Sequence, residues 1–453
     1  MPSYDALVVG AGFAGLSAAL ALEEAGLRTL VLEAGPRPGG RARTDYTLRH
    51  GGPAELGAQM IHGRDAVTHR WARKWGLHVR RYPVLPRSRM VVDRRIGRYP
   101  WFVLPFHPVI GFRSAIAARY TIPSQLEAYA GPDMSLEEYL TTHPARPGAR
   151  RVVELLHAHV YGADLDAVGV KGPAEEEKAC SEDLGYTNFQ VTEGYSALAD
   201  RVSESLGERI RFGRAVVAID RTSDGVRVRA QTVESGREEE YRAPAVVITV
   251  PLGVLKSAFI AFDPPLPESK RRAIGRIAFA DAFALHLRVS GGTLRKTLGD
   301  FAMLWGGTPS SFYRPSVGIP TPPEVVTAFT VGREARRRAA LDLPEIIDAT
   351  CREWEGVVPS GISWGDVEDA RVHLWTRDPW FRGAYSYLPP GVGLADRAEL
   401  AAPVDRCLFF AGEATDLHGQ SATVAGAIGS GQRVAGEVRS ALSTHPSPGA
   451  GSR

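Results

Sequence analysis

The sequence is poor in the residues that build disulfide frameworks and zinc sites. Its 453 residues include three cysteines, Cys180, Cys351 and Cys407, which are scattered without the spacing of metal ligands. We therefore predict no disulfide framework and no bound metal. So few cysteines fit a reducing compartment, and we expect a cytoplasmic protein.

The sequence also lacks an excess of charge of either sign. Its 54 basic and 51 acidic residues give a formal net charge of +3, which does not favour nucleic acid or a membrane surface as a partner. No window offers the ~20 uninterrupted apolar residues of a transmembrane helix, so we expect no membrane-spanning segment. The hydrophobic share of 44% is ordinary for a globular protein, and the length suits roughly two or three domains.

The N-terminal segment carries the pattern on which the rest of the chain depends. It contains, in order, a strand, a glycine turn, a helix, a second strand and an acid: Ala6 to Val9, Gly10-x-Gly12-x-x-Gly15, Leu16 to Ala25, Leu27 to Leu32 and Glu33. This order is typical of a dinucleotide-binding unit. Gly10 makes the tight turn, Gly12 lets a pyrophosphate approach the backbone, and Gly15 lets helix and strand pack closely. Glu33 is placed to accept hydrogen bonds from a ribose. The alternative is a glycine turn with a structural role only.

Later segments return to buried strands after a stretch of different character. Strands are predicted within 210–219, 226–230, 245–250, 274–289, 301–305, 325–331 and 407–411, and helices within 67–75, 135–140, 148–160, 194–206, 343–354 and 423–442. We interpret the chain as an α/β protein in which a Rossmann-type domain is interleaved with a mixed-sheet plus helical substrate domain. The Rossmann-type domain takes residues 1–67, 187–272 and 395–442. The substrate domain takes 68–186 and 273–394, and 443–453 is predicted to be disordered.

Several segments resemble the flavin-dependent amine oxidase family and follow its order: VVGAGFAGLSAA, RPGGRART, ELGAQMIHG, VITVPLGVLK, PWFRGAYSYLPPG, and LFFAGEAT followed by ATVAGAIGSGQRVAGEV. That family includes monoamine oxidases, polyamine oxidases, L-amino-acid oxidases and the oxidase domain of lysine-specific histone demethylases. The C-terminal segments are most similar to the polyamine oxidase and demethylase branches. The extra domain and long helical insertion of the demethylases have no room here, so we do not expect a chromatin role.

The resemblance implies a bound FAD and names the residues that hold it. Arg41, with Arg37 near it, would lie by the pyrophosphate. Val217 would contact adenine through its backbone, and Glu413 would hold the ribityl chain. The last helix would place its N-terminus at the flavin, where it stabilises negative charge on the reduced ring. The implied cofactor residues are Gly10, Gly12, Ala14, Gly15, Glu33, Ala34, Arg37, Gly40, Arg41, Gly57, Ala58, Gln59, Met60, Val217, Gly412, Glu413, Thr423 and Val424.

On the substrate side, the resemblance implies an aromatic wall. Tyr385 matches one wall of the family's amine-binding cage, and Thr423 takes the place of the opposite wall, which leaves a wider slot. Aromatic faces attract and orient amines. His62 matches a histidine that faces substrate in some polyamine oxidases, although it could instead satisfy a backbone carbonyl. For Tyr385 the alternative is an ordinary core aromatic.

Two positions depart from the family. Monoamine oxidases attach their flavin through a cysteine that is Ala384 here, so we expect non-covalent FAD. The family's lysine beside the flavin falls on Ala284, which puts rapid reaction with oxygen in doubt.

The expected reaction is oxidation of a C–N bond of a small amine to an imine by hydride transfer to flavin, with reoxidation by oxygen to hydrogen peroxide. The alternative is a dehydrogenase or desaturase of a biosynthetic intermediate that uses another electron acceptor. The partners are then an amine and oxygen or another acceptor, with a homodimer left open.

Overall fold

The computed structural model describes residues 4–48, 53–83, 87–92, 95–98, 131–143, 159–180, 188–290, 294, 299, 301–305, 310–317, 324–358 and 362–443. The predicted helix at 148–160 falls outside these ranges except for its last two residues. The predicted disordered tail lies outside them beyond residue 443, as does the predicted domain boundary after residue 186.

Eleven α-helices and twenty-three strands are assigned within the described residues. The helices are α1 Phe13–Glu24, α2 Val67–Lys74, α3 Leu136–Thr142, α4 Lys171–Ala179, α5 Tyr195–Leu206, α6 Leu252–Lys256, α7 Glu268–Arg276, α8 Gly332–Arg338, α9 Leu343–Val357, α10 Leu394–Ala401 and α11 Val424–Ser443. The first strands are β1 Ala6–Val9, β2 Thr29–Leu32, β3 Thr44–Asp45, β4 Ala54–Glu55, β5 Ile61–His62, β6 Val79–Tyr82, β7 Arg89–Val92, β8 Arg95–Arg98, β9 Asn188–Val191, β10 Ile210–Arg211, β11 Arg214–Thr222 and β12 Gly225–Thr232. The others are β13 Glu238–Ala243, β14 Ala245–Ile248, β15 Ala261–Asp263, β16 Ala278–Phe279, β17 Ala282–Val289, β18 Met303–Trp305, β19 Ser310–Tyr313, β20 Val325–Val331, β21 Val367–Val372, β22 Ser386–Tyr387 and β23 Leu408–Phe410.

A five-stranded parallel sheet forms the centre of the Rossmann-type part, in the order β10-β2-β1-β14-β23. Strands β1, β2, β14 and β23 are short apolar runs because helices and loops cover both faces of a parallel sheet. Within β1, Ala6 and Val8 face one core cluster, and Leu7 and Val9 face another. The sheet draws on widely separated parts of the chain, so the predicted interleaving is confirmed.

Helices α1 and α11 cross closely over this sheet. A Cβ atom at Gly431 would lie 2.4 Å from the carbonyl oxygen of Ala14, so only glycine permits this approach. Ser17 Oγ donates a hydrogen bond of 2.9 Å to the carbonyl of Ile428. The first and last helices therefore pack as one layer, and both begin at the same edge of the sheet.

A seven-stranded mixed sheet forms the second part, in the order β21-β17-β20-β19-β18-β7-β8. Phe283, Leu285 and Leu287 in β17 pack on one face of it, in a core that includes Trp354 of α9. The alternate residues of β17 face the Rossmann-type part. Because side chains alternate across a strand, this one strand serves both the sheet's own core and the boundary between the two parts.

One local prediction is wrong. The segment 274–289 was expected to be extended, but α7 occupies Glu268–Arg276, and strand structure begins only at Ala278. Pro267 precedes the first turn of α7, where proline is tolerated, and the buried Lys270, Ala273 and Ile274 lie at helical spacing. The predicted domain boundary after residue 272 therefore falls inside a helix. The domain limits remain predictions.

No helix among the described residues is both long enough and apolar enough to cross a membrane.

Candidate cofactor and substrate cavity

A large cavity opens at the carboxyl ends of the parallel strands, between the two sheets. Together with the open space at its mouth, the cavity encloses about 1410 Å³. Gly10, Glu33, Thr249 and Gly412, which follow β1, β2, β14 and β23, all belong to its lining. Ligands of open parallel sheets bind at this edge.

The glycine turn has the shape of a phosphate cradle. Gly10 has a φ of +105°, and a Cβ at Gly15 would lie 1.9 Å from the carbonyl oxygen of Gly10. Gly12 has an ordinary φ of −70°, and no heavy atom beyond its chain neighbours lies within 4 Å of where its Cβ would be. Gly10 and Gly15 are thus required by the fold, whereas Gly12 leaves space at the N-terminus of α1. That space fits an anionic pyrophosphate.

Glu33 is oriented by the loops around it. Its carboxylate accepts hydrogen bonds from the N–H of Ala11 at 2.6 Å and the N–H of Gly35 at 2.7 Å. Burial raises the pKa of Glu33 even though both backbone donors favour its charged form. Glu33 and its neighbour Ala34 line the cavity, so the acid lies where a ribose would be held.

Glu413 joins three parts of the site. One oxygen accepts from Arg41 Nη1 at 2.9 Å, and the other accepts from Ser386 Oγ at 2.6 Å and the N–H of Ala422 at 3.0 Å. Burial alone would raise the pKa of Glu413, but Arg41, Ser386 and Arg397 outweigh it and hold that pKa below its ordinary value. The carboxylate therefore ties the arginine loop, the strand after the cage tyrosine and the start of α11 together.

The start of α11 reaches the cavity through Thr423 and Val424. Thr423 Oγ1 donates to the carbonyl of Gln420 at 2.7 Å and accepts from the N–H of Gly426 at 3.0 Å. The threonine is thus an N-cap. Its hydroxyl is engaged by the helix, while the helix N-terminus is directed at the cavity.

The segment Leu56–Ala58 forms one wall of the cavity. Trp375 Nε1 donates to the carbonyl of Leu56 at 2.9 Å, and the N–H of Ala58 donates to the carbonyl of Arg41 at 3.1 Å. A Cβ at Gly57 would lie 1.8 Å from the carbonyl oxygen of Arg41, so the backbone must pass close by.

The other predicted cofactor residues fall into two groups, those that line the cavity and those that do not. Gly40, Arg41, Ala14 and Gly412 line the cavity, whereas Gly15, Arg37, Gln59, Met60 and Val217 are not among its described lining residues. Ala215 and Val216 of β11 line the cavity, and the strand pairing is irregular between Val216 and Ala218, so the backbone contact of Val217 stays a prediction. Met60 packs instead against a small cluster around Tyr82.

The far end of the cavity is apolar and aromatic. Tyr385 lines it, and its hydroxyl donates to the carbonyl of His159 at 3.2 Å. Burial raises the pKa of Tyr385, so the phenol stays protonated. Ala284 also lines this end and pairs across the sheet with Phe329. The charged residues of the described lining are Glu33, Arg41, Arg214 and Glu413, and none is a lysine.

His62 is placed apart from this cavity. It lies on the exposed side of β5, where its Nδ1 is 2.7 Å from Oδ1 of Asn188, and it is not among the described lining residues. Its proposed contact with substrate has no support in this geometry.

The cavity includes residues that the motifs did not assign. Phe329, Phe381, Thr249 and Arg214 line it, together with Trp375 and Trp380. Thr249 Oγ1 donates to the carbonyl of Val9 at 2.8 Å and so closes the glycine turn. Thr249 directly follows a buried strand, and Trp380 and Phe381 lie in the motif PWFRGAYSYLPPG, so the sequence marked these positions. Phe329 reaches the cavity through strand pairing, which no motif signalled.

The lining fits a flavin dinucleotide. It combines a glycine cradle, two helix N-termini, an acid for the ribose and a broad apolar end. None of the three cysteines lines the cavity, and the residue before Tyr385 is Ala384, so the lining supplies no thiol for a covalent bond to the flavin.

Comparisons with known proteins agree with this fit. Residues 13–439 match the family described as flavin containing amine oxidoreductase. The chain is 28% identical over 459 residues to lysine-specific histone demethylase 1 homolog 2 of Oryza sativa subsp. japonica, covering 95% of this chain and 56% of that protein. It is 28% identical over 451 residues to polyamine oxidase 4 of the same species, covering 96% and 88%. The chain thus spans little more than half of the demethylase homologue.

The solved structure of cyclohexylamine oxidase from Brevibacterium oxydans IH-35A aligns with a TM-score of 0.81 and 22% identity, over 98% of this chain and all of that one. At 22% identity, this similarity shows only that the two chains share a fold.

Proposed function

The chain belongs to the flavin-containing amine oxidoreductase family, its cofactor is non-covalent FAD, and we propose that it oxidises a C–N bond of a small amine. The observation that carries the proposal is a single cavity that joins the dinucleotide cradle to an apolar, aromatic end. No other chemistry is needed from the protein, because the cofactor accepts the electrons and the protein positions the substrate.

FAD, when bound, would supply a two-electron acceptor for the hydride of the carbon next to nitrogen, with oxygen as the final acceptor and hydrogen peroxide as its product. Gly12, Glu33, the Arg41–Glu413 pair and the N-terminus of α11 would hold it. Each is a fixed donor, acceptor or helix end that is in place before substrate binds. The imine formed from the substrate is hydrolysed by water to a carbonyl compound and an amine or ammonia.

The substrate wall selects the reactive form of the amine. Tyr385 and Phe329 present aromatic faces, and Ala282, Ala284 and Ala384 present methyl groups. An apolar site disfavours a charged ammonium, so the amine is bound neutral with its lone pair available. The aromatic faces orient it.

The test is anaerobic mixing of the purified yellow protein with a panel of amines, including cyclohexylamine, an aromatic monoamine, a diamine and a polyamine. At least one should bleach the visible absorbance of the flavin. If none does while dithionite bleaches it fully, amine oxidation is the wrong reaction.

Variants of Tyr385 give a matched pair for the wall. Tyr385→Phe keeps the ring and loses one hydrogen bond, so the reduction rate should stay within about 5-fold of the parent. Tyr385→Leu removes the aromatic face and should lower kcat/KM roughly 2- to 13-fold below that of Tyr385→Phe, since aromatic contacts contribute roughly 0.5–1.5 kcal/mol beyond their area. Equal rates for both variants would show that the ring does not orient the amine.

We propose a second candidate, a flavin-dependent dehydrogenase or desaturase of a biosynthetic intermediate, on the strength of Ala284. A cation near the flavin would stabilise the charge that develops on oxygen, and the described lining offers only Arg41 and Arg214 as cations. Arg41 is already paired with Glu413. Comparing the rates at which air and an artificial acceptor reoxidise the reduced flavin separates the two candidates. If the missing lysine at position 284 limits the reaction with oxygen, Ala284→Lys should raise the rate of reoxidation by air at least 10-fold.

A further inference from the structure

A row of polar side chains crosses the mixed sheet one step from the cavity. His286 in β17, Thr327 in β20 and Tyr313 in β19 lie directly opposite one another in the strand register. The neighbouring row on the same face contains Ala284 and Phe329, which line the cavity. Since residues two apart share a face, the polar row lies on the side of the sheet that faces the cofactor cradle.

The hydrogen bonds of this row fix the state of the histidine. His286 Nε2 lies 2.9 Å from the carbonyl oxygen of Glu55, and its Nδ1 lies 2.8 Å from Thr327 Oγ1. A carbonyl only accepts, so Nε2 carries the proton and Nδ1 accepts from the threonine hydroxyl. Burial lowers the pKa of His286 to about 4, which keeps the ring neutral.

The same row returns to the cavity wall at its other end. The side chains of Thr327 and Gln59 lie near the Tyr313 hydroxyl and oppose the rise that burial gives its pKa. Glu55 and Gln59 flank the cavity-lining segment Leu56–Ala58. The row therefore contacts both ends of that segment, through His286 at Glu55 and through Tyr313 at Gln59. Gln59, which matches a cofactor motif without reaching the cavity, acquires a role in this way.

We propose that the row His286–Thr327–Tyr313 is a clamp by which the mixed sheet positions the cofactor-lining segment Leu56–Ala58, with His286 as a positioning residue for the reaction. The clamp sets the spacing between this segment and the substrate-facing pair Ala284 and Phe329. This inference rests on the proposed function only where kcat and KM for an amine are measured. The affinity for FAD and the flavin spectrum are measured without an amine.

The test uses variants that remove one hydroxyl or ring at a time from the FAD-bound protein. Thr327→Val and Tyr313→Phe should each raise the dissociation constant of FAD roughly 3- to 10-fold, as loss of one or two buried hydrogen bonds predicts. They should also shift the visible flavin spectrum and lower kcat for the best amine more than they raise its KM. His286→Leu should do the same, and His286→Gln, which keeps a donor for the Glu55 carbonyl, should restore most of the affinity.

Ser310→Ala is the matched control. Ser310 is in the same strand as Tyr313 but on the opposite face, where its hydroxyl bonds Thr330 and Glu353. This variant should lower the melting temperature without changing FAD affinity or spectrum.

The clamp is refuted if Thr327→Val and Tyr313→Phe keep the parent's affinity and spectrum, or if Ser310→Ala changes them equally. Should no amine reduce the parent protein, the proposed function fails, while affinity and spectrum still decide the clamp.

Discussion

Two glycines of the same turn should respond to alanine in opposite ways. At Gly12 the φ of −70° suits alanine, and a Cβ would project into the cavity without meeting another heavy atom of the protein within 4 Å. The fold should therefore tolerate Gly12→Ala. The added methyl would occupy space that the pyrophosphate needs, and crowding of this kind costs about 1–3 kcal/mol. FAD affinity should fall roughly 5- to 150-fold.

At Gly15 the expected loss is in the fold. A Cβ there would lie 1.9 Å from the carbonyl oxygen of Gly10, so α1 must move away from β1. We expect Gly15→Ala to destabilise the flavin-free protein by about 1–3 kcal/mol. The melting temperature would then fall at about 2–4 °C per kcal/mol.

The assay is a fluorescence titration of flavin-stripped protein with FAD, alongside thermal melting of the same preparations. Gly12→Ala should melt within about 2 °C of the parent yet bind FAD weakly. If folded Gly12→Ala binds FAD as tightly as the parent, the pyrophosphate does not lie at this turn and the cradle is wrongly assigned.

Two further predictions concern buried charge. Glu413→Gln leaves Arg41 without its partner and should lower the free energy of unfolding by about 2–4 kcal/mol at neutral pH, with weaker FAD binding. The carboxylate's stabilisation is present above pH ~4.5 and lost as pH falls through its depressed pKa, so parent and variant melting curves should converge in acid. Burial raises the pKa of Glu55 to about 7 and lowers that of His286 to about 4, from ordinary values of 4.5 and 6.5. Between about pH 4.5 and 6.5 the folded protein holds one proton on Glu55 and the unfolded chain holds one on His286, so their effects on stability cancel. In Glu55→Gln the free energy of unfolding should rise with pH across this range by about 1.4 kcal/mol per unit, and in His286→Gln it should fall by a similar amount. If the free energy of unfolding of both variants changes with pH in the same way between pH 4.5 and 6.5, the pKa values assigned to Glu55 and His286 are wrong.

The cofactor cradle is the part of the site that local sequence determines. Gly10, Gly12, Gly15 and Glu33 follow one another through strand, turn and strand, so their spacing alone predicts where they meet. Glu413 lies in the loop that follows β23, and the family resemblance implied its role.

The substrate end depends on strand pairing, which spacing does not reveal. Phe329 reaches the cavity because β20 pairs with β17 in the register that sets it opposite Ala284. In β11, Ala215 and Val216 line the cavity beside the predicted Val217, and pairing of β5 with β9 leaves His62 exposed. A motif names a residue but not the face of the strand on which it lies.

The most direct measurement is a crystal structure of the protein with FAD and the best amine of the panel. We expect the pyrophosphate at Gly12, adenine beside Val216 and the amine against Tyr385 and Phe329. An amine bound away from these aromatic faces, or a flavin outside this cavity, would contradict it.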